Sequence, residues 1–259
     1  MTPFDPDRLD LRDPGLIRSA LPAVERFNRS YLQLRRDGLE HVPSGPALYV
    51  SNHNGGITGP DLLCTLGTLL HVRGADAPLY ALAHDFVMRH VPQAGRLLQR
   101  FGALRACPSN ALRALAQGGQ VLVYPGGDLE AYRHSRERDR IVLGERTGFV
   151  RVAREAGVPI VPIVVHGAHR SAYIFNDGRA IARRLQLARW GRLERFPLAL
   201  ALPWGLAVGP WTPYLPLPFP IRLRVLPPIR VGADDDATAV REHVRARMQT
   251  TLDALAAGA

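Results

Sequence analysis

Two side chains eight residues apart, His53 and Asp61, have the types and setting to do acid–base chemistry. They sit in the stretch Ser51-Asn52-His53-Asn54-Gly55-Gly56-Ile57-Thr58-Gly59-Pro60-Asp61. Ahead of it, Ala47-Leu48-Tyr49-Val50 is a short apolar run of the kind that makes a buried strand. Behind it, Pro60-Asp61-Leu62-Leu63 reads as a helix start, with proline where a missing N–H costs nothing and an acid in the first turn. An imidazole at a strand end with a carboxylate returned beside it is a general base with its orienting partner. The carboxylate fixes the tautomer and leaves the other ring nitrogen to take a proton from a hydroxyl. The same residues also fit a plain loop histidine, with Asp61 serving only the helix start.

The elements that must position this pair follow from the patterning. At 259 residues the chain is long enough for one α/β domain with a sizeable core. Residues 15–36 carry apolar side chains at helical spacing and predict a helix. Strands are expected at 47–51, 79–82, 121–124 and 158–165. Helices are expected from Pro60 to about Leu70, in pieces between His84 and Arg100, from an N-cap at Ser109 to Gln117, and over 147–156. Strand, loop and helix in this order imply a mixed, mostly parallel central sheet flanked by helices. Chemistry in such sheets collects at the C-terminal strand edge, where His53 and the loop Pro125-Gly126-Gly127 both fall. Residues 222–226 alternate as an edge strand does, and 235–257 read as a C-terminal helix.

Composition bounds the partners. All 33 basic residues are arginine, which excludes any mechanism that needs a lysine. The net charge of +10 points to an anionic partner. No nucleic-acid fold signature accompanies it, so nucleic acid is not expected. Two cysteines, Cys64 and Cys107, suit a reducing compartment. The charged start of the chain is unlike a signal peptide and suggests a cytoplasmic protein. Between Arg179 and Arg195 lie six arginines and one acid, Glu194. Phe196 to Ile221 then contains no charged residue but seven prolines, too many for a membrane-spanning helix. This segment either shelters an apolar chain or touches a bilayer interface, and a Pro-rich loop folded onto the core is the plainer alternative. Arg133, Arg136, Arg138 and Arg140, interleaved with Glu137 and Asp139, read as a solvated charged loop. His166 and His169 lack a third ligand and read as structural, so no metal is expected.

Four blocks in order resemble the glycerolipid acyltransferases, the superfamily of lysophosphatidic acid and glycerol-3-phosphate acyltransferases. They are Ser51-Asn52-His53 with Asp61, Gly102-Ala103-Leu104-Arg105, Val123-Tyr124-Pro125-Gly126-Gly127, and Val158-Pro159-Ile160-Val161-Pro162, covering roughly residues 45–170. The resemblance implies the glycerol-3-phosphate-acyltransferase-like fold, with an N-terminal helical segment over 1–40 and an acyltransferase domain over 41–259 whose 179–221 segment lies near the membrane. It implies an O-acyltransferase that moves a fatty acyl group from acyl-CoA or acyl carrier protein to a lipid hydroxyl, without a further cofactor, on the inner face of a membrane. His53 is then the base and Asp61 its partner. Asn52, Gly55, Gly56, Arg105, Pro125, Gly126, Gly127 and Glu130 would line the substrate site, with the Gly55-Gly56 backbone a candidate oxyanion donor. No Gly-x-Ser-x-Gly elbow occurs, and no acyl-enzyme is required.

The chain departs from the family pattern in three places. Seven residues separate His53 from Asp61 where the family has four, which puts Thr58 at the usual acid position. The family's phosphate-binding arginine falls at about Pro108, leaving Arg105 as the nearby substitute. The family's glutamate in the third block is replaced by Gly126. Pro125 to Ala131 resembles instead the monoacylglycerol and diacylglycerol acyltransferase relatives, which points to a neutral lipid acceptor. A lysophospholipid acceptor and a catalytically degenerate lipid-binding protein are the alternatives.

Overall fold

The structure is a computed structural model and describes residues 4–54, 59–85, 88, 92–188, 193–210 and 212–258. In chain order its elements are α1 (Pro14–Ser30), β1 (Arg35–Asp37), β2 (Ala47–Ser51), α2 (Pro60–Arg73), β3 (Leu79–Ala83), α3 (Pro92–Arg100), β4 (Ala103–Arg105), α4 (Pro108–Ala116), β5 (Gln120–Val123), α5 (Gly127–Ala131), α6 (Gly148–Ala156), β6 (Ile160–His166), β7 (Tyr173–Asn176), α7 (Arg179–Arg184), β8 (Leu198–Ala201), β9 (Gly205–Val208), β10 (Arg222–Val225) and α8 (Ala237–Ala257). Seven strands form one sheet in the order β1-β10-β6-β2-β5-β3-β4, parallel throughout except where β10 runs against β6.

Strand β2 lies at the middle of this sheet and every one of its residues is buried. The period of two along a strand sends alternate side chains to opposite faces. Leu48 and Val50 pack with Val150, Val164, Val244 and Met248 of α6, β6 and α8. Ala47 and Tyr49 pack with Cys64, Leu69 and Val161 of α2 and β6. A strand covered on both faces needs a continuous apolar run, and 47–50 is one. Helix α1 closes the second face: Asp13 caps it, its Oδ1 accepting from Leu16 N at 2.9 Å, and buried Asn28 donates to the Leu63 carbonyl of α2 at 3.2 Å.

The structure departs from the sequence reading at several elements. Residues 35–37 are not the end of the N-terminal helix but strand β1, which pairs with β10. Residue 40 lies in a 3-10 turn, Leu39–His41, between β1 and β2. Because β1 takes the edge, β10 is interior and its alternation has another cause: Leu223 and Val225 face the α1–α2 side, while Arg222 reaches the Leu255 carbonyl of α8 at 3.3 Å. Helix α4 is capped at Cys107 rather than Ser109, because Pro108 supplies its first turn. Part of the uncharged segment 196–221 forms β8 and β9, which join β7 in a separate three-stranded antiparallel sheet. Among the described residues no helix is long and apolar enough to cross a membrane.

Gly38 closes β1 at φ +72°, and a Cβ there would lie 2.1 Å from the Val225 carbonyl oxygen of β10. Gly118 has a similar φ of +80° with nothing within 4 Å. Gly118→Ala should then cost only backbone strain, about 1 kcal/mol, whereas Gly38→Ala must also push β1 off β10 and should cost about 3 kcal/mol. Urea unfolding of the two variants checks this, and equal losses would remove the role assigned to the Gly38 contact.

Candidate active site

The residues after β2 leave the sheet at its C-terminal edge and are pinned on both sides. Asn52 pairs with the backbone of Val165 in β6, donating to its carbonyl at 2.9 Å and accepting its N–H at 2.8 Å. Asn54 donates to the same carbonyl at 3.3 Å and accepts from Arg133 Nη2. His53, between these two anchors, keeps 22% of its side chain exposed, while Asp61 at the start of α2 is fully buried. His53 Nδ1 lies 2.7 Å from Asp61 Oδ2, which also accepts the Asn54 N–H at 3.0 Å. An ionised carboxylate only accepts, so Nδ1 carries the proton and Nε2 presents its lone pair. The seven intervening residues therefore do return the carboxylate to the imidazole.

Burial opposes a charge on the His53 ring, but the touching Asp61 carboxylate and, further off, Glu130 outweigh it and hold the imidazole above its ordinary value. The Tyr124 ring stands 4.6 Å from it, tilted by 35°. Burial, with the Asp61 charge behind it, pushes the Tyr124 phenol well above its usual range. It remains a neutral wall of the site.

Glu130 holds a different place from the one expected. It is fully buried, and its two oxygens accept the His53 N–H at 2.8 Å and the Val142 N–H at 2.9 Å. It braces the histidine loop from behind and lines no open surface. Burial pushes its carboxyl up to about 7, against the pull of Arg133 and the two N–H donors. Gly126 has no room for a side chain: a Cβ would meet the Val142 carbonyl oxygen at 2.1 Å and Glu130 Oε2 at 2.7 Å. The Glu130 carboxylate thus fills the space that a side chain at 126 would enter.

Arg133, read from sequence as part of a solvated run, is buried to 1% exposure. Its guanidinium donates to the carbonyls of His53 (2.9 Å), Glu130 (2.6 Å), Glu137 (2.9 Å) and Arg138 (2.7 Å) and to Asn54 Oδ1. Sequence reasoning gave no site role to Arg133, Asn54 or Tyr124. Asn54 follows His53 directly and Tyr124 stands inside the third block, which is the signal that could have found them.

Arg105 is not brought to the histidine. It ends β4, three strands from β2 or about 14 Å across a sheet at this spacing, and its Nε and Nη2 donate to the two Asp7 carboxylate oxygens at 2.8 and 2.7 Å. Pro125 and Gly127 meet Arg146, whose Nη1 donates to the Pro125 carbonyl at 3.2 Å. Arg146 lines an open cleft with His84, Asp85, Ala106, Ala188 and Glu194 beyond the ends of β3 and β4. Gly55, Gly56 and Thr58 lie outside the described residues.

The acyltransferase family model matches residues 33–166, from β1 through β6. This chain belongs to the acyltransferase family. An uncharacterized protein of Mycobacterium tuberculosis is 30% identical over 247 residues, 92% of this chain and 65% of that protein. The enzyme of Gallus gallus named DGAT1/2-independent enzyme synthesizing storage lipids is 28% identical over 218 residues, 84% of this chain and 57% of its own. The chain therefore spans just under two thirds or less of the length of these relatives. The crystal structure of the 1-acyl-sn-glycerophosphate (LPA) acyltransferase PlsC from Thermotoga maritima superposes with a TM-score of 0.57 at 16% identity, covering 94% of this chain and 84% of that one. The acyltransferase fold is thus shared well beyond sequence similarity.

The His53 ring should titrate above the ordinary imidazole value of about 6.5, because its charged form is favoured by Asp61. Asp61→Asn removes that charge and should bring the midpoint down, as followed by NMR of the ring protons. An unchanged midpoint would detach Asp61 from the imidazole. Arg133→Ala leaves Glu130 buried without its cation and should cost about 3–5 kcal/mol in urea unfolding. A loss below about 1 kcal/mol would mean that the guanidinium supports nothing essential.

Proposed function

We propose that the chain catalyses transfer of a fatty acyl group from a thioester to the hydroxyl of a neutral glycerolipid or other lipid alcohol. The observation that carries this reading is the 2.7 Å His53 Nδ1–Asp61 Oδ2 pair, with a partly exposed ring at the C-terminal edge of the sheet. His53 Nε2 takes the proton of the acceptor hydroxyl as its oxygen attacks the thioester carbonyl. The imidazolium formed is held by Asp61 until it returns the proton to the departing thiol. Proximity supplies much of the rate, since both substrates meet in one place and no enzyme-bound acyl group is needed. The donor is a thioester of coenzyme A or of acyl carrier protein, and the enzyme works from the inner face of a membrane.

A neutral acceptor is supported by two features. The arginine nearest the second motif, Arg105, is already neutralised by Asp7. The glutamate position of the third motif is a glycine whose space is filled from behind by Glu130. The similarity to an enzyme named for storage-lipid synthesis points the same way.

The test is turnover of a long-chain acyl-CoA, and then of acyl carrier protein thioester, by purified protein with neutral and lysophospholipid acceptors side by side. His53→Ala should abolish turnover, and Asp61→Asn should lower kcat by about 10²–10⁴ with KM little changed. Transfer only to lysophospholipids would retain the chemistry and overturn the neutral acceptor. Full activity in His53→Ala would overturn the mechanism.

A further inference from the structure

The small sheet β7–β8–β9 is built with its polarity reversed. Pairing places Ile174 beside Ala199 and Ala199 beside Ala207, and these residues are buried, with Ala172, Ala201 and Tyr214 packed around them. The opposite face carries the large apolar residues. Tyr173 pairs with Leu200 and Leu200 with Leu206 in one row, with Val208 two residues along, all of them exposed. Leu200 is 51% exposed, Leu206 54%, and Trp204 in the connecting turn 58%. A sheet with one face in water normally points small or apolar residues inward and polar ones outward. Here no charged residue occurs from Phe196 to Ile221, so nothing on β8 or β9 suits that face to water. A contiguous apolar patch of this kind marks a contact surface.

Its surroundings identify the contact. Two residues separate β7 from helix α7, which presents Arg183 and Arg184 to solvent. The N-cap of this helix, Gly178, sits against the Phe196 carbonyl at the approach to β8, so the cations border the sheet. Exposed leucines and an exposed tryptophan beside exposed arginines are the combination that an anionic lipid surface favours: apolar side chains enter the acyl boundary while guanidinium groups meet headgroup phosphates. Strand β8 can lie in that boundary because its main chain is paired on both sides.

We propose that the outer face of β7–β8–β9 is the surface by which the protein docks on an anionic bilayer, with Leu200, Trp204 and Leu206 entering it. The experiment is flotation of the full chain, without detergent, on vesicles of phosphatidylcholine with or without phosphatidylglycerol. The wild type should float with the phosphatidylglycerol vesicles. The double variant Leu200→Asp/Leu206→Asp should lose about tenfold or more of the bound fraction, with its melting temperature not lowered, because both side chains already face water. Arg183→Glu/Arg184→Glu should weaken binding to the anionic vesicles only. Vesicles that contain brominated lipid should quench the wild type more than Trp204→Phe. Equal flotation of the leucine variant would overturn the proposal. So would a wild type that ignores vesicles but runs as a dimer which the leucine variant splits, since the face would then join two copies of the chain. Lipid binding is read here without turnover, so its failure and that of the acyl-transfer reading are separable.

Discussion

A guanidinium buried beneath the histidine loop is the interaction on which the rest of the site depends. Arg133 surrenders its water and is repaid by five oxygen acceptors, four of them main-chain carbonyls from 53, 130, 137 and 138. Its charge is balanced chiefly by Glu130, then by Asp61. Such an arrangement is stable only while every member is present, since a lone buried ion costs more than the pair gains. The consequence is geometrical. Arginine draws in the carbonyl of His53, glutamate draws in its N–H, and the peptide on either side of the catalytic candidate is fixed before any substrate arrives. The imidazole is left with χ rotation as its freedom, and Asp61 removes that.

The same network explains how a longer His-to-Asp interval is accommodated. Orientation of the ring depends on where the loop leaves β2 and where α2 begins, and both ends are tied independently. Asn52 ties the first to β6, and the main chain of Asn54 reaches the same Asp61 oxygen as the ring. Extra residues between two fixed ends add only slowly to loop entropy. Among the described residues nothing bonds Asp61 Oδ1, so the pairing rests on Oδ2 alone.

What the sequence disclosed, and what it hid, follows from the range of each interaction. Strand β2, the start of α2 and the identity of the His–Asp pair are local signals: an apolar run, a proline and an acid at set positions. Strand β1 is three residues long with two arginines, and its pairing with β10 joins positions 187 residues apart, so nothing nearby announces it. Arg133 looks like its neighbours Arg136, Arg138 and Arg140 in any window of sequence. Only the fold of the 134–140 turn, whose carbonyls at 137 and 138 point inward, distinguishes it. Glu130 was recognised as important through the run Pro125 to Ala131, but its direction, away from the substrate side and into the His53 amide, is set by the tight fit at Gly126. The small sheet was invisible because its apolar side chains face outward, against the pattern by which strands are read.

The small sheet and the histidine are mechanically one body. Tyr132, next to Arg133, donates its hydroxyl to the Pro210 carbonyl at 2.8 Å, and Ser135 Oγ accepts the Ile174 N–H of β7 at 2.8 Å. Buried His169, kept neutral by its desolvation and by Arg133, lies 3.0 Å from the Arg133 carbonyl through Nε2. Glu194 N bonds Asp128, and Arg195 pairs with Asp177 at the end of β7. All but the last of these contacts join the segment that carries Glu130 and Arg133 to the sheet or its flanks. A surface that orients β7–β9 therefore bears, through these contacts, on the segment that braces His53. Ala188 and Glu194, which border that sheet in sequence, also line the cleft beside Arg146.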